Sequence, residues 1–492
     1  MQRSASESMS TGTASAGSVP RVAIAGATGF VGSALRRRLS DRYRIRGLTR
    51  SPVREHTPVG DAGAPDGPGV EWRRCDLFRL REVTEALRGC DVALYLVHSM
   101  SPSARLTQAH FADLDLLMAD TFRRGAEAAG VKQIVFLSGL VPDDEELSEH
   151  LASRLEVENA LDAGPVPLTA IRAGLIVGAG GSSFEMMTNL VRRLPLMILP
   201  RWTRSTTQPI ALHDVVRAFE VVLEDPAALV GRFDVGGPDR MTYREMMRRT
   251  GEATGRRIAM LDVRAFSPRL SVLWVSLFGG QPRALVAPLV ESLRHDMVAS
   301  DNPLQDRLAP GLVPFDTAVR EALEETREDA ADPAPPAEPG RGSTPRRNRV
   351  RSVQRFPLPV GRNAGWAARE YLRWLPRFAR PFMRVRREAR GVFAFTLGRA
   401  GPPLLELTLD REASRPDRRV YRITGGRLAR AADRDGRMEF RSTPNGRSVL
   451  VAVHDYAPTL PWYVYNLTQA NAHLTVMRGF GRHLRRAAGP RA

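Results

Sequence analysis

The stretch Arg21–Gly32, R-V-A-I-A-G-A-T-G-F-V-G, constrains this chain more than any other. Its apolar run suits a parallel strand buried on both faces. Three glycines, each three residues from the next, then lead into the helix-forming run Ser33-Ala34-Leu35. Gly26 allows a sharp exit from the strand, and Gly29 lets backbone approach a pyrophosphate. Gly32 lets the first helix pack close to the sheet. The helix N-terminus offers N–H groups and a positive dipole end to phosphates. A plain strand-turn-helix corner is the alternative, but strand, glycines and helix stand here in the order that a dinucleotide site requires.

A second apolar run, Tyr43 to Leu48, ends in Thr49-Arg50-Ser51-Pro52. The tip of this second strand faces the adenosine ribose. An acidic residue there binds the 2′-hydroxyl, whereas an arginine accommodates a 2′-phosphate. Arg50 has no carboxylate beside it, so NADP(H) is expected, with NAD(H) as the alternative.

At 492 residues the chain should hold more than one domain. No apolar run approaches the ~20 residues of a membrane span. Residues 1–20 are rich in Ser, Thr, Gly and Ala and lack a signal peptide's apolar core, so a disordered leader is expected. Cys75 and Cys90 show neither metal-ligand spacing nor a disulfide framework, which suits a reducing cytoplasm. The net charge of +18 is uneven: residues 1–340 hold 40 basic and 44 acidic groups, and residues 341–492 hold 32 and 10. Lys132 is the only lysine among the 72 basic residues, a bias that reflects genome composition and does not by itself mark nucleic-acid binding.

Strands are expected at Val70 to Arg74, Asp91 to Val97, Lys132 to Ser138 and Leu168 to Arg172. Helices are expected near Arg79–Arg88, Arg105 to Ala129 and Asp143 to Asp162. This alternation predicts an α/β fold with a doubly wound parallel sheet.

With these segments in place, the chain resembles the atypical, NmrA-like branch of the extended short-chain dehydrogenase/reductase superfamily. The resemblance rests on Gly26-Ala27-Thr28-Gly29-Phe30-Val31-Gly32, Asp76-Leu77, Tyr95-Leu96-Val97-His98-Ser99-Met100 and Leu137-Ser138-Gly139-Leu140. It continues through Arg172-Ala173-Gly174, Gln208-Pro209-Ile210, His213-Asp214-Val215 and Gly236-Gly237-Pro238, and covers residues 21 to about 325. It implies a Rossmann-type sheet and a bound NAD(P). By position, Gly26 to Gly32 would hold the pyrophosphate, and Asp76 would cap the adenine amino group in a pocket lined by Leu77. The backbone of Leu96 to Ser99, with Val97 and His98, would run beneath the nicotinamide ribose. Arg172 would lie near the nicotinamide. For Asp76 a helix cap is the plainer role.

Active members of the superfamily carry Ser, then Tyr-x-x-x-Lys on the next helix. Here Ser138 stands in place, but the helix reads His150-Leu151-Ala152-Ser153-Arg154. The four-residue offset keeps both side chains on one face. As a proton donor, His150 would make activity fall as pH rises through about 6.5. Arg154 would hold the ribose, though it cannot release a proton. Loss of catalysis is the alternative.

Thr326 to Ser352, rich in Pro, Gly and charge, reads as a linker to a second domain at 353–492. Strands are expected at Gly391 to Leu397, Leu404 to Leu409 and Arg419 to Thr424. A hairpin is expected around Pro444-Asn445-Gly446, and an amphipathic helix is entered by Pro461. Antiparallel strands followed by a long helix resemble a helix-grip, START-like lipid-binding module in architecture. A packing or oligomerisation module is the alternative. Arg362 to Arg390 mixes nine arginines with Trp366, Tyr371, Trp374, Phe378 and Phe382, and Pro376 and Pro381 should break any continuous helix. Such a segment fits an anionic membrane surface or, equally, an interface where arginine stems cover apolar side chains. No nucleic-acid module is evident.

The expected protein is therefore a cytoplasmic NADP(H)-dependent oxidoreductase acting on a carbonyl or quinone, with peripheral contact at the inner membrane face as an option. Ser138, His150 and Arg154 would be its working residues, and no metal is expected. A non-catalytic NADP(H) sensor or assembly factor, and a lipid-handling protein acting through the last domain, are the rivals.

Overall fold

The computed structural model describes residues 19–50, 70–98, 107–142, 146–263, 290–331, 349–381, 383–387, 391–398, 401–429, 435–461, 465 and 467–489. Strands β1 (Arg21–Ala25), β2 (Arg44–Thr49), β3 (Val70–Arg74) and β4 (Val92–Tyr95) form one half of a parallel sheet. A short strand, β5 (Thr107–Gln108), lies outside it; β6 (Gln133–Gly139), β7 (Leu168–Ala173) and β8 (Gly231–Val235) complete it. The order is β8-β7-β6-β4-β1-β2-β3, and every pairing is parallel. The strand order reverses beside β1, which creates the crevice where ligands of such sheets bind. Helices α1 (Phe30–Leu39) and α5 (Leu212–Glu224) cover one face. Helices α2 (Leu80–Leu87), α3 (Phe111–Ala129) and α4 (Glu149–Asp162) cover the other. Central strands buried on both faces explain why their sequences are near-continuous apolar runs.

The glycine-rich motifs outside the first turn act as packing clasps. A Cβ on Gly174 would lie 2.1 Å from the Gln208 carbonyl oxygen, and one on Gly236 would meet the Gln208 side chain at 2.5 Å. Gln208 then donates to the Gly237 carbonyl and accepts from the Ala299 N–H.

Helix α6 (Phe315–Ala331), which buries Val319, Ala322 and Leu323, extends beyond the expected limit of 325. The expected linker ends early as well, since β9 (Val350–Pro357) begins inside it. An antiparallel sheet follows: α7 (Ala364–Phe378), β10 (Met383–Arg387), β11 (Val392–Leu397), β12 (Pro403–Arg415), β13 (Arg418–Gly425), β14 (Arg437–Ser442), β15 (Ser448–Tyr456) and α8 (Gln469–Ala488). Its order is β10-β11-β12-β13-β14-β15-β9-β5. Gly446, with φ of 68°, makes the expected turn between β14 and β15.

Three expectations from the sequence need correction. Helix α3 begins at Phe111 and not near 105, because Thr107–Gln108 pairs with Arg351–Ser352 as a strand of the second sheet. Helix α4 begins at Glu149, where the Ser148 hydroxyl accepts the Leu151 N–H. In Arg362 to Arg390, Pro376 sits in the last turn of α7 and does not interrupt it. Tyr371 and Leu375 are buried in the core of the second sheet, and Trp374 stacks on Phe378 at 4.5 Å. These aromatic groups serve internal packing, the interface role; Phe382 and Tyr463 lie outside the described residues. No helix among the described residues is long and apolar enough to cross a membrane.

The second sheet uses both faces. One holds α7 and α8, while Val353, Leu450 and Ala452 on the other join the core beneath α2, α3 and α4. Arginines of this sheet meet acids of the first half. Arg441 donates to Asp120, Thr121 and the Leu117 carbonyl, and Arg355 to Asp113 and Glu156. Arg124 reaches back to Asp417. Burial alone would raise the pKa of Asp120, but Arg441 and Arg124 outweigh it and hold the group down at about 2.

Because the pKa is depressed on folding, this contribution is present above the unfolded value of ~3.9 and is lost as pH falls towards 2. Asp120→Ala should cost about 3–5 kcal/mol, since it leaves buried guanidinium groups uncompensated. Thermal melts between pH 7 and 2 check both points: the wild-type decline below pH ~4 should flatten in the variant. Equal slopes for the two proteins would show that Asp120 does not hold the two sheets together.

Candidate functional site

A groove of about 390 Å³ opens at the carboxyl ends of β1, β2 and β4. Its floor is the glycine turn. Gly26 has φ of 90°, a conformation that side chains rarely adopt, and its carbonyl accepts the Gly29 N–H at 2.9 Å. A Cβ on Gly32 would lie 2.1 Å from the Gly26 oxygen, so α1 approaches the strand only because residue 32 has none. Thr28 and Gly29 line the groove. The other two residues of the motif turn their side chains away: Val31 is buried in the core, and the Phe30 ring covers Gly178 and Gly181. What they offer the groove is the backbone N–H groups of the first helical turn, which have no partner within the helix.

Arg50, exposed at the tip of β2, lines the groove with Thr49, Asp76, Leu77, Val97 and His98. Asp76 does not cap α2, whose N-cap is Arg79. One of its oxygens accepts the Phe78 N–H at 3.1 Å, and the other receives Arg351, from β9, at 3.1 Å. Burial tends to raise its pKa, yet Arg351 and the Phe78 N–H bring it below the ordinary carboxylate value.

Beyond the glycine turn lies a polar cluster. His98 Nδ1 sits 2.6 Å from Asp115 Oδ2, and the His98 and His150 rings are 5.2 Å apart. Asp115 is 1% exposed on α3, so the carboxylate must be satisfied from within and fixes the Nδ1–H tautomer of His98. His98 Nε2, His150 Nδ1, Ser138 Oγ, Arg154 Nη1 and Tyr95 Oη are buried without a hydrogen-bond partner among the described residues. Orphaned polar atoms in such number need an explanation, and an added ligand or water is the simplest.

Two of the expected site residues have partners in the interior. The Arg154 guanidinium donates to the Leu137 carbonyl at 2.6 Å and lies 4.7 Å over the Phe136 ring, so it is held in the interior. Arg172 pairs with buried Glu158 on α4 through two hydrogen bonds of 3.0 and 2.7 Å, which draws it away from the groove. His150 shares a helix with Arg154 as expected, but its environment disfavours charge. Burial, then His98 and Arg154, push its pKa down to about 3, so it is a neutral ring near pH 7 and no cationic acid.

Sequence reasoning missed Asp115, Tyr95 and Arg351 as members of this region. Asp115 was open to detection, because an acid inside an otherwise apolar helical stretch must find a partner. Among the described residues no group of three His, Cys, Asp or Glu is placed to hold a metal ion.

Residues 22–236 match the model of the NAD dependent epimerase/dehydratase family. The curated Auxiliary protein GraX of Staphylococcus aureus is 28% identical over 128 residues, 26% of this chain and 39% of that protein. The chain therefore spans well under half the length of this curated relative. Citrobacter sp. triphenylmethane reductase complexed with NADP(H) is 18% identical, covering 61% of this chain and 99% of its own, with a TM-score of 0.48. UDP-N-acetylglucosamine 4-epimerase from Bacillus cereus is 17% identical, covering 63% and 99%, with a TM-score of 0.45.

The histidine cluster makes a prediction. Because its pKa is lowered, His150 should stay neutral from pH 8 to 5, and nitrogen-detected NMR of its imidazole should show no titration there. A midpoint near 6.5 would mean that water reaches the ring and that the cluster is open.

Proposed function

With residues 22–236 matching the model of the NAD dependent epimerase/dehydratase family, we propose that this protein binds NADP(H) and is an oxidoreductase acting on a carbonyl or a quinone. The glycine turn carries the reading, because Gly26, Gly29 and Gly32 leave a backbone-lined floor at the N-terminus of α1, as a pyrophosphate requires. Arg50 at the lip of the groove favours the 2′-phosphate form. When bound, the nicotinamide supplies hydride.

The remaining chemistry is that of this chain's own residues. Ser138 Oγ, buried and unpartnered among the described residues, orients the acceptor oxygen. Asp115 holds His98 so that Nε2 is the atom free to exchange a proton. His150, neutral beside it, relays a proton by taking one from solvent at one ring nitrogen as the other releases its own to the acceptor oxygen, and does not rest as a cation. The half-buried position of this cluster limits water at the reacting end.

Calorimetry should show NADP(H) bound roughly tenfold to hundredfold more tightly than NAD(H), the worth of about one charged hydrogen bond. Arg50→Glu should abolish that preference. Equal affinities in the wild type would remove Arg50 from cofactor choice. NADPH consumption over a panel of ketones, aldehydes and quinones then tests the reaction. Tight binding with no turnover on any of them would favour the sensor or assembly-factor reading, which the absence of a Tyr-x-x-x-Lys pair and the interior position of Arg154 support.

A second reading rests on a different observation. A cavity of about 230 Å³ lies between the second sheet and α7 and α8, lined mainly by apolar groups such as Leu375, Phe395, Leu407 and Met438. Ser352, His473, Gln469 and Tyr456 are among the polar groups at its wall; Tyr456 donates to the Leu428 carbonyl, and the Gln469 amide nitrogen has no partner among the described residues. A lipid or other apolar molecule bearing one acceptor oxygen fits this lining. A fluorescent fatty-acid probe should bind the full chain, and Leu407→Trp should block it by filling the cavity. Undiminished binding in that variant would place the probe elsewhere.

A further inference from the structure

The dinucleotide groove is completed by a residue from outside the parallel-sheet half. Arg351 of β9 lines it opposite Gly26 and Arg50 and is mostly enclosed. Its placement is built. The antiparallel pairing of β9 with β15 slips at this point: Val350 faces Tyr456 and Ser352 faces Val453. The extra residue on β15 includes Asp455, whose φ of 52° lies in the left-handed region. A bulge of this kind bends the ladder and re-aims side chains. By strand alternation Val350 and Ser352 face the apolar cavity, while Arg351 between them enters the groove.

Three contacts hold the guanidinium there. It lies 3.9 Å from the centroid of the Phe78 ring, donates to Asp76 at 3.1 Å and stands 3.6 Å from Asp455. Asp455 is shared: its Oδ1 faces Arg351, while Arg79 at 2.9 Å and Arg437 at 3.2 Å both meet its Oδ2. A guanidinium carries five N–H donors, and the Asp76 hydrogen bond uses one of them. Stacked on a ring with donors left over, Arg351 has the form of a phosphate-reading arginine. Arg50 and Arg351 line this groove against a single carboxylate, Asp76.

Resting on the NADP(H) reading above, we propose that Arg351 is a second ligand for the adenosine 2′-phosphate, so that the cofactor bridges the two halves of the chain. The phosphate is gripped by Arg50 from the tip of β2 and by Arg351 from β9. The second sheet thereby takes part in cofactor choice, and the parallel-sheet half by itself holds only part of the site. The Asp76 carboxylate keeps Arg351 in place when the groove has no phosphate in it.

The test uses the full chain and four probes: NADPH, NADH, 2′,5′-ADP and 5′-AMP. In Arg351→Gln, affinity for NADPH and 2′,5′-ADP should fall about tenfold to hundredfold, the range for one charged hydrogen bond. NADH and 5′-AMP should change by less than about threefold on that same scale. Arg351→Lys keeps the charge and the pairing with Asp76, so it should fold as the wild type does and show a smaller loss confined to the phosphorylated probes. Circular dichroism and thermal melting without ligand establish that each variant is folded. Unchanged NADPH affinity in both variants would overturn the inference, as would equal losses for NADPH and NADH, which would mark Arg351 as a packing residue. Wild-type protein that bound neither dinucleotide would overturn the cofactor reading and this inference with it. Wild-type binding with insensitive variants would overturn this inference alone.

Discussion

Buried charge cannot be left unpaired, and this requirement holds the two halves of the molecule together. Asp120 on α3 and Glu439 on β14 are almost wholly enclosed, and Arg441 lies between them, bonded to both. Arg418 completes Glu439 from the same sheet, while Arg123 and Arg124 complete Asp120 from its own helix. Separating the sheets would expose some of these groups and strand others, a far larger penalty than losing a surface ion pair. The apolar contact of Val353, Leu450 and Ala452 with the first core supplies the area, and the ion pairs supply the register.

That junction gives the uneven charge of the chain an internal meaning. The excess of arginine after residue 340 suggests an anionic surface as partner. In the fold, Arg351, Arg355, Arg437 and Arg441 turn instead towards acids and carbonyl groups of α3, α4 and the loop before α2. Part of the positive charge is thereby matched within the molecule. The aromatic groups of α7 follow the same logic, since Tyr371 and Leu375 are core residues of the second sheet.

The candidate site depends on the junction at both ends. At the adenosine end, docking of the second sheet brings Arg351 to Asp76. At the other end, the same helix α3 that carries Asp120 also carries Asp115, which orients His98. A single element thus connects the inter-sheet ion pairs with the polar cluster, and its acids face two different partners along its length.

The local features of this protein were determined by sequence alone. The glycine turn, the parallel strands and the turn at Gly446 follow from backbone conformation and short-range pattern, and they stand where the sequence implies. So does the placement of His150 and Arg154 on one helix, which their four-residue spacing requires. The tertiary structure decided what those side chains do. Arg154 bonds a carbonyl of β6, Arg172 turns to Glu158, and His150 is kept neutral by burial, because each answers to neighbours that spacing does not specify. The start of α3 at Phe111 was likewise set by a partner distant in the chain. Arg351 is the clearest case. It lies 275 residues from Asp76, and only the bulge in β15 and the docking of two sheets bring the pair into one groove. Local sequence fixes the backbone's options through sterics and hydrogen bonding, whereas the pairing of distant charges is settled by which surfaces are buried together.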